Sequence, residues 1–199
     1  MRAFTNYNNV AEYTESVKLP AGAYRIKILR AEEQAGSNNS CALCILFDIA
    51  DGEFKDYYYK KFSADKKSYP DSAKYKGVLR LWYPSGSEYD EANERRMKTA
   101  LKRICDSNSN LNIDFTKEWD GNLLKNCLVG MIFRDQEYDY NGHRGLTAQP
   151  YSLITLNDLK EGNFTIPEPK YINGLPSATN SSQTSTDFDN LPDDEDLPF

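Results

Sequence analysis

Residues 54–62 read FKDYYYKKF, and the reading given to these nine positions decides the fold. In an extended chain successive side chains point to opposite faces. Phe54, Tyr58 and Phe62 then share one side, and Lys55, Tyr57, Tyr59 and Lys61 share the other. Read this way the segment is a third strand, set off from the one before it by the turn DGEF at 51–54.

Two strands precede it. GAYRIKILRAEE (22–33) alternates, with Tyr24, Ile26 and Ile28 on one face and Arg25 and Lys27 on the other. CALCILFDIA (41–50) is almost continuously apolar, as for a strand covered on both faces. Further on, SEYDEANERRMKTALKRICDSN (87–108) carries Met97, Ala100, Leu101, Ile104 and Cys105 at helical spacing. Ser87 with Asp90 forms a capping box there, and acids crowd the first turn. The bases Arg95, Arg96, Lys98, Lys102 and Arg103 of this helix read as its solvated outer face. NCLVGMIFRDQEYDY (126–140) and HRGLTAQPYSLITL (143–156) flank Asn141-Gly142, a strong hairpin signal. Three strands, a long connection, a helix and two strands make a mainly β protein. Its order is that of a five-stranded Greek-key barrel of the OB type, with the helix between strands 3 and 4.

Charge divides the chain. No Lys or Arg lies beyond Lys170, whereas Asp187, Asp189, Asp193, Asp194, Glu195 and Asp196 do. Of 24 bases and 30 acids, residues 1–170 therefore hold 24 bases and, with those six acids set aside, 24 acids. The net charge of −6 belongs to the end of the chain, and the rest is neutral. From about Ile172 the composition turns to Ser, Thr, Asn, Asp and Pro without periodicity, which predicts a flexible tether after the stiff exit IPEPK (166–170). The expected organisation is a domain at 1–171 and an acidic tail at 172–199, ending in the hydrophobic bead of Phe199. No apolar run is long enough to span a bilayer and no leader pattern opens the chain. Cys41, Cys44, Cys105 and Cys127 read as reduced thiols of a cytoplasmic protein.

On the third strand, Tyr57 and Tyr59 flanked by Lys55 and Lys61 form an aromatic and basic ladder that Arg25 and Lys27 extend. Aromatic faces stack bases of any sequence while lysines follow phosphates. The same tyrosines also suit a half-buried sheet. The connection after it adds Lys66, Lys67, Lys76 and Arg80, with Trp82 and Tyr83 at its end. Basic charge interleaved with aromatics suits a single strand. Trp82 fits a stacking platform or a core anchor equally well.

Catalytic and metal readings are poorer. Cys41 and Cys44, three apart in a strand, point to opposite faces, and Cys105 and Cys127 are not spaced as zinc partners. Asp48, with Glu53 and Lys55 across a tight turn, loosely echoes a metal-dependent nuclease. His143, the sole histidine, sits beside a hairpin turn. The expectation is a protein without catalytic residues, metal or cofactor.

The segment DDEDLPF (193–199) resembles the acidic tip of bacterial and phage single-stranded DNA-binding proteins. LPAGAYRIKI (19–28), KGVLRLWYP (76–84), NGHRG (141–145) and LKEGNFTIPEPK (159–170) are similar to the phage and prophage branch of that family in Gram-positive hosts. The resemblance implies a protein of the bacterial cytoplasm that coats single-stranded DNA in replication, recombination and repair. It also implies a tip, Asp193, Asp194, Glu195, Asp196, Leu197, Pro198 and Phe199, that docks on the enzymes of those processes. The compact layout of the cellular relatives is missing, so their tetramer does not carry over, although association of copies is compatible with the family. Two rivals stand beside this reading: an interaction module serving recombination, whose tyrosine face binds protein, and a nuclease using Asp48 and Glu53.

Overall fold

A computed structural model describes Thr5 and residues 17–36 and 40–172. The chain is mainly β, built on a five-stranded antiparallel sheet: β1 (Gly22–Ala35), β2 (Cys41–Ile49), β3 (Val78–Trp82), β4 (Leu128–Tyr140) and β5 (His143–Ile154). Their order in space is β3-β2-β1-β4-β5, so β3 and β5 are the edges. The helices are α1 (Tyr57–Ser68), α2 (Asp90–Ser107) and the short α3 (Leu156–Glu161), with a 3-10 turn at Gly121–Leu124.

The alternation expected of β1 holds at its start, where Ile26 and Ile28 are buried and Arg25 and Lys27 are exposed. A bulge between Ile28 and Arg30 then shifts the register against β2. Ala31 becomes the inward residue, and Arg30, Glu32 and Gln34 take the outer face. β2 is covered on both sides, as its apolar run implies: Leu43, Ile45, Phe47 and Ile49 line the core, while Ala42, Cys44 and Asp48 are buried on the opposite face. Asn141 (φ 50°) and Gly142 (φ 81°) turn β4 into β5, both in the left-handed region that a two-residue hairpin loop demands.

α2 closes the core with Ala100, Leu101 and Ile104 packed beneath the sheet. Burying a side chain such as Ile104 contributes about 1.5–3 kcal/mol, well above any surface pair on the helix's outer side. At its start the Asp90 carboxylate accepts from the N–H groups of Ser85 and Gly86 and from the Ser87 hydroxyl. The Ser85 N–H is the largest influence holding the Asp90 carboxyl below the usual carboxylate range, with Gly86 and Ser87 adding to it.

The third strand is not where the alternation of 54–62 put it. Residues 57–68 are helix α1, and the third strand is VLRLW at 78–82. Both oxygens of buried Asp48 receive the first turn of α1, from Tyr58 N at 3.0 Å and Tyr59 N at 2.9 Å, and this supplies the cap that Asp56 lacks. The aromatics pack as a helix packs them: Tyr58 is buried edge-on to Phe47 at 5.4 Å and Phe54 meets Tyr24 at 5.8 Å. β3 starts at a tight passage, where a Cβ on Gly77 would stand 2.4 Å from the Phe47 carbonyl oxygen and 2.9 Å from the Tyr58 ring. The order of three strands, a helix and two strands is found, but with α1 in the place of the expected third strand and β3 inside the expected connection.

Beyond the end of its pairing with β1, the free edge of β4 holds the chain's exit. Lys170 N donates to Asp135 O, Glu137 N donates to Lys170 O, and the Glu137 carboxylate accepts from Ile172 N at 3.0 Å. The tail expected at 172–199, with its tip Asp193–Phe199, lies outside the described residues from position 173.

Candidate nucleic-acid interface

The outer face of β1, β2 and β3 is built in cross-strand rows. Register aligns Arg30 with Leu46 and Val78, Glu32 with Cys44 and Arg80, and Gln34 with Ala42 and Trp82. Of the middle residues Cys44 and Ala42 are small and Leu46 is not, and although they point away from the core Ala42 is 2% and Cys44 1% exposed. The larger side chains of β1 and β3 overhang them. Strands lie about 4.8 Å apart, so the face is a trough roughly 10 Å across with β2 as its floor.

Its walls carry charge and one large ring. Arg30 on β1 pairs with Glu32 at 2.5 Å. The Cys44 thiol donates to Gln34 Oε1 at 3.2 Å. Burial pushes the Cys44 thiol up, and the neighbouring Arg80 guanidinium pulls against it. Trp82 is 37% exposed at the sheet edge, and a Cβ on Gly36 would stand 3.3 Å from its indole. The ring therefore rests on bare backbone at the end of the β1–β2 hairpin, and Trp82 is partly exposed and outside the core cluster.

Other expected residues are dispersed. Arg25 and Lys27 continue the outer face of β1, Arg25 held by Asp51 at 3.1 Å and Lys27 aligned with Asp48. Tyr57 and Tyr59 do not form a ladder, because two helical positions differ by about 200°. Tyr57 is half-buried against Phe54 and Tyr58, and its hydroxyl accepts from Leu19 N at 3.3 Å. Tyr59 is 62% exposed. Lys55 is exposed in the turn before α1, Lys61 is partly covered, and Lys66 and Lys67 end the helix, Lys66 lying 5.7 Å over the Phe62 ring. Lys76 is exposed just before β3. Tyr83 packs against the core and bonds to Glu33, and burial followed by that bond drives its phenol far above the ordinary value.

Arg30 escaped the sequence pattern because the bulge moves it onto the outer face that strict alternation assigns to Leu29. The bases of α2 also divide. Arg95, Lys98 and Lys102 are solvated as expected, but Arg96 and Arg103 donate to the Tyr151 and Leu153 carbonyls of the β5 edge. Their spacing of seven was the available signal, since it sets them on one side of the helix with Ala100.

Asp48 has a structural task. Its oxygens accept from Ile49 N, Tyr58 N, Tyr59 N and the Tyr75 hydroxyl at 2.9–3.0 Å, which uses every lone pair of the carboxylate. Cys41 and Cys44 fall on opposite faces of β2. Among the described residues no three His, Cys, Asp or Glu side chains converge as a metal set, and no helix is long and apolar enough to cross a membrane. No protein-family model matches the chain. No curated protein matches it in sequence.

Proposed function

We propose that this chain binds single-stranded DNA along the outer trough of β1, β2 and β3, without reading base sequence. The observation that carries the reading is that Arg30 on β1 and Arg80 and Trp82 on β3 stand on one outer face, on either side of β2, whose Cys44 and Ala42 between Arg80 or Trp82 and β1 are small. A guanidinium follows the backbone and an indole stacks on any base. An OB-type barrel supports the same reading, because such barrels bind oligonucleotides on the face of strands 2 and 3. In this reading the sheet is such a barrel opened between its edges β3 and β5, against both of which α2 packs.

The segment Asp193–Phe199 adds the second half of the proposal: recruitment of replication, recombination and repair enzymes. Its acids steer it toward basic rims and Phe199 supplies an apolar anchor. The exit at Lys170–Ile172 runs along β4, which β1 separates from β2, so a partner can be held while the trough is filled. The reading assigns the chain no catalytic step.

Fluorescence titration with oligo-dT and with a duplex of equal length tests it. Tight binding to oligo-dT and much weaker binding to duplex is expected. About four to six neutralised phosphates give a slope of log affinity against log salt of roughly −3 to −4. Equal affinities, or a Trp82→Ala variant that folds and binds oligo-dT unchanged, would overturn the proposal.

A further inference from the structure

A groove of about 280 Å3 lies where β3, α2 and β5 meet, on the opposite side of β3 from the trough. Its floor is Leu79, Leu81 and Leu153, and its rim is Arg95, Arg96, Arg103 and Tyr151. The floor is already covered, with those leucines 4%, 2% and 3% exposed, so the groove offers little apolar surface to a greasy side chain. What it presents is guanidinium and one phenol ring.

That rim is organised in advance. Arg96 donates to the Tyr151 carbonyl at 3.3 Å and Arg103 to the Leu153 carbonyl, each leaving further N–H donors on a fixed fork. Arg95 pairs, among the described residues, with Glu91 of its own helix, an exposed contact that contributes little. Tyr151 is the extra residue of a bulge, since Met131 to Phe133 face Leu153, Ser152 and Pro150. Bulges turn a side chain out of the regular alternation. Its ring is 39% exposed and backed by Arg134 at 4.8 Å.

We infer that this groove is a second subsite for the same single strand, taking two successive backbone phosphates, one each on Arg95 and Arg96, and the adjoining base on Tyr151. The inference rests on the single-strand reading and deepens it. β3 joins the two sites, because Arg80 and Trp82 occupy its outer side and Leu79 and Leu81 its groove side. A strand leaving Trp82 has only the width of one edge strand to cross before it meets α2. The arginines that cap the open edge of β5 thereby also extend the binding path.

The test uses the full chain, oligo-dT of stepped length, and the variants Arg95→Gln/Arg96→Gln and Tyr151→Ala, with circular dichroism to verify folding. Each single-strand phosphate contact contributes about 0.7 to the salt slope. Loss of two contacts should flatten the slope by about 1.4, which makes the affinity change between 50 and 200 mM salt about sevenfold smaller. Short oligonucleotides that fill only the trough should bind both variants like wild type, and the gain with length should stop earlier than in wild type. Arg95→Gln alone, which breaks no bond to β5, should show half the change in slope and guards against a folding defect. If wild type binds oligo-dT, Arg80 and Trp82 variants weaken it, and the groove variants match wild type in slope and length dependence, the subsite falls while the function stands. If wild type binds no oligo-dT, the function itself fails. Groove variants that bind DNA normally but lose a synthetic peptide of residues 187–199 would make the groove a peptide site and overturn the inference.

Discussion

Asp48 sits where a charge is costly, 4% exposed near the end of a strand buried on both faces. It is tolerated because four donors meet it, and those donors tie β2 to α1 and to Tyr75. Burial, then the Asp48 charge, drive the Tyr75 phenol far above its ordinary value, so it remains a donor. Asp48→Asn keeps the shape but replaces one oxygen with an amine that faces donors. A loss of about 2–4 kcal/mol of unfolding free energy is expected, measured by urea denaturation. A loss below about 0.5 kcal/mol would show that the carboxylate does not hold α1. The sequence offered a hint, since a lone acid in a run covered on both faces must find partners, but it could not say which. Arg80 and Trp82 were picked out by basic and aromatic character alone, in what read as a connection, and their place two apart on one face of β3 was not foreseen. Arg30 was not picked out, because a bulge of one residue reverses the faces of β1.

At the scale of elements, β1, β2, the β4–β5 hairpin and α2 follow from local pattern, although bulges in β1 and β5 interrupt the alternation of those strands. FKDYYYKKF does not, because Phe54, Tyr58 and Phe62 are four apart, and four residues return to one face in a strand and in a helix alike. The choice is made elsewhere, by the Asp48 carboxylate that caps the first turn and by Ser63–Ser68, which prolong the helix. A helix changes what the tyrosines do. Tyr57→Ala removes a half-buried ring edge-on to Phe54 and Tyr58, as well as the acceptor for Leu19 N, and should cost about 2 kcal/mol. Tyr59→Ala removes an exposed ring and should stay within about 0.5 kcal/mol of wild type. Paired urea melts check this, and equal stability of the two variants would contradict the helical packing. Oligo-dT binding should respond to neither as strongly as to Trp82→Ala.

Across the whole molecule the decisive quantity is the division of charge, neutral over residues 1–170 and −6 after them. The acidic run at 193–196 is 21 residues beyond Ile172, and a segment of that length, if it is the tether its composition predicts, reaches about 25 Å. The Debye length is about 30 Å at 0.01 M salt and 10 Å at 0.1 M. At low salt the acids therefore act on the trough from anywhere in their reach, and at higher salt only when close to it. A chain ending at Pro192 loses four acids and moves from −6 to −2. Its affinity for oligo-dT should exceed that of wild type at 0.01 M salt, and the two curves should converge above about 0.1 M. Phe199→Ala removes the anchor and leaves the charge, so its DNA titration should overlay wild type at every salt concentration. The same variant should lose partner enzymes that wild type captures, while the four-acid truncation loses them as well. If truncation lowers DNA affinity at all salt concentrations, the acidic segment takes part in binding DNA. If Phe199→Ala keeps every partner, steering by charge is sufficient and the anchor has no role.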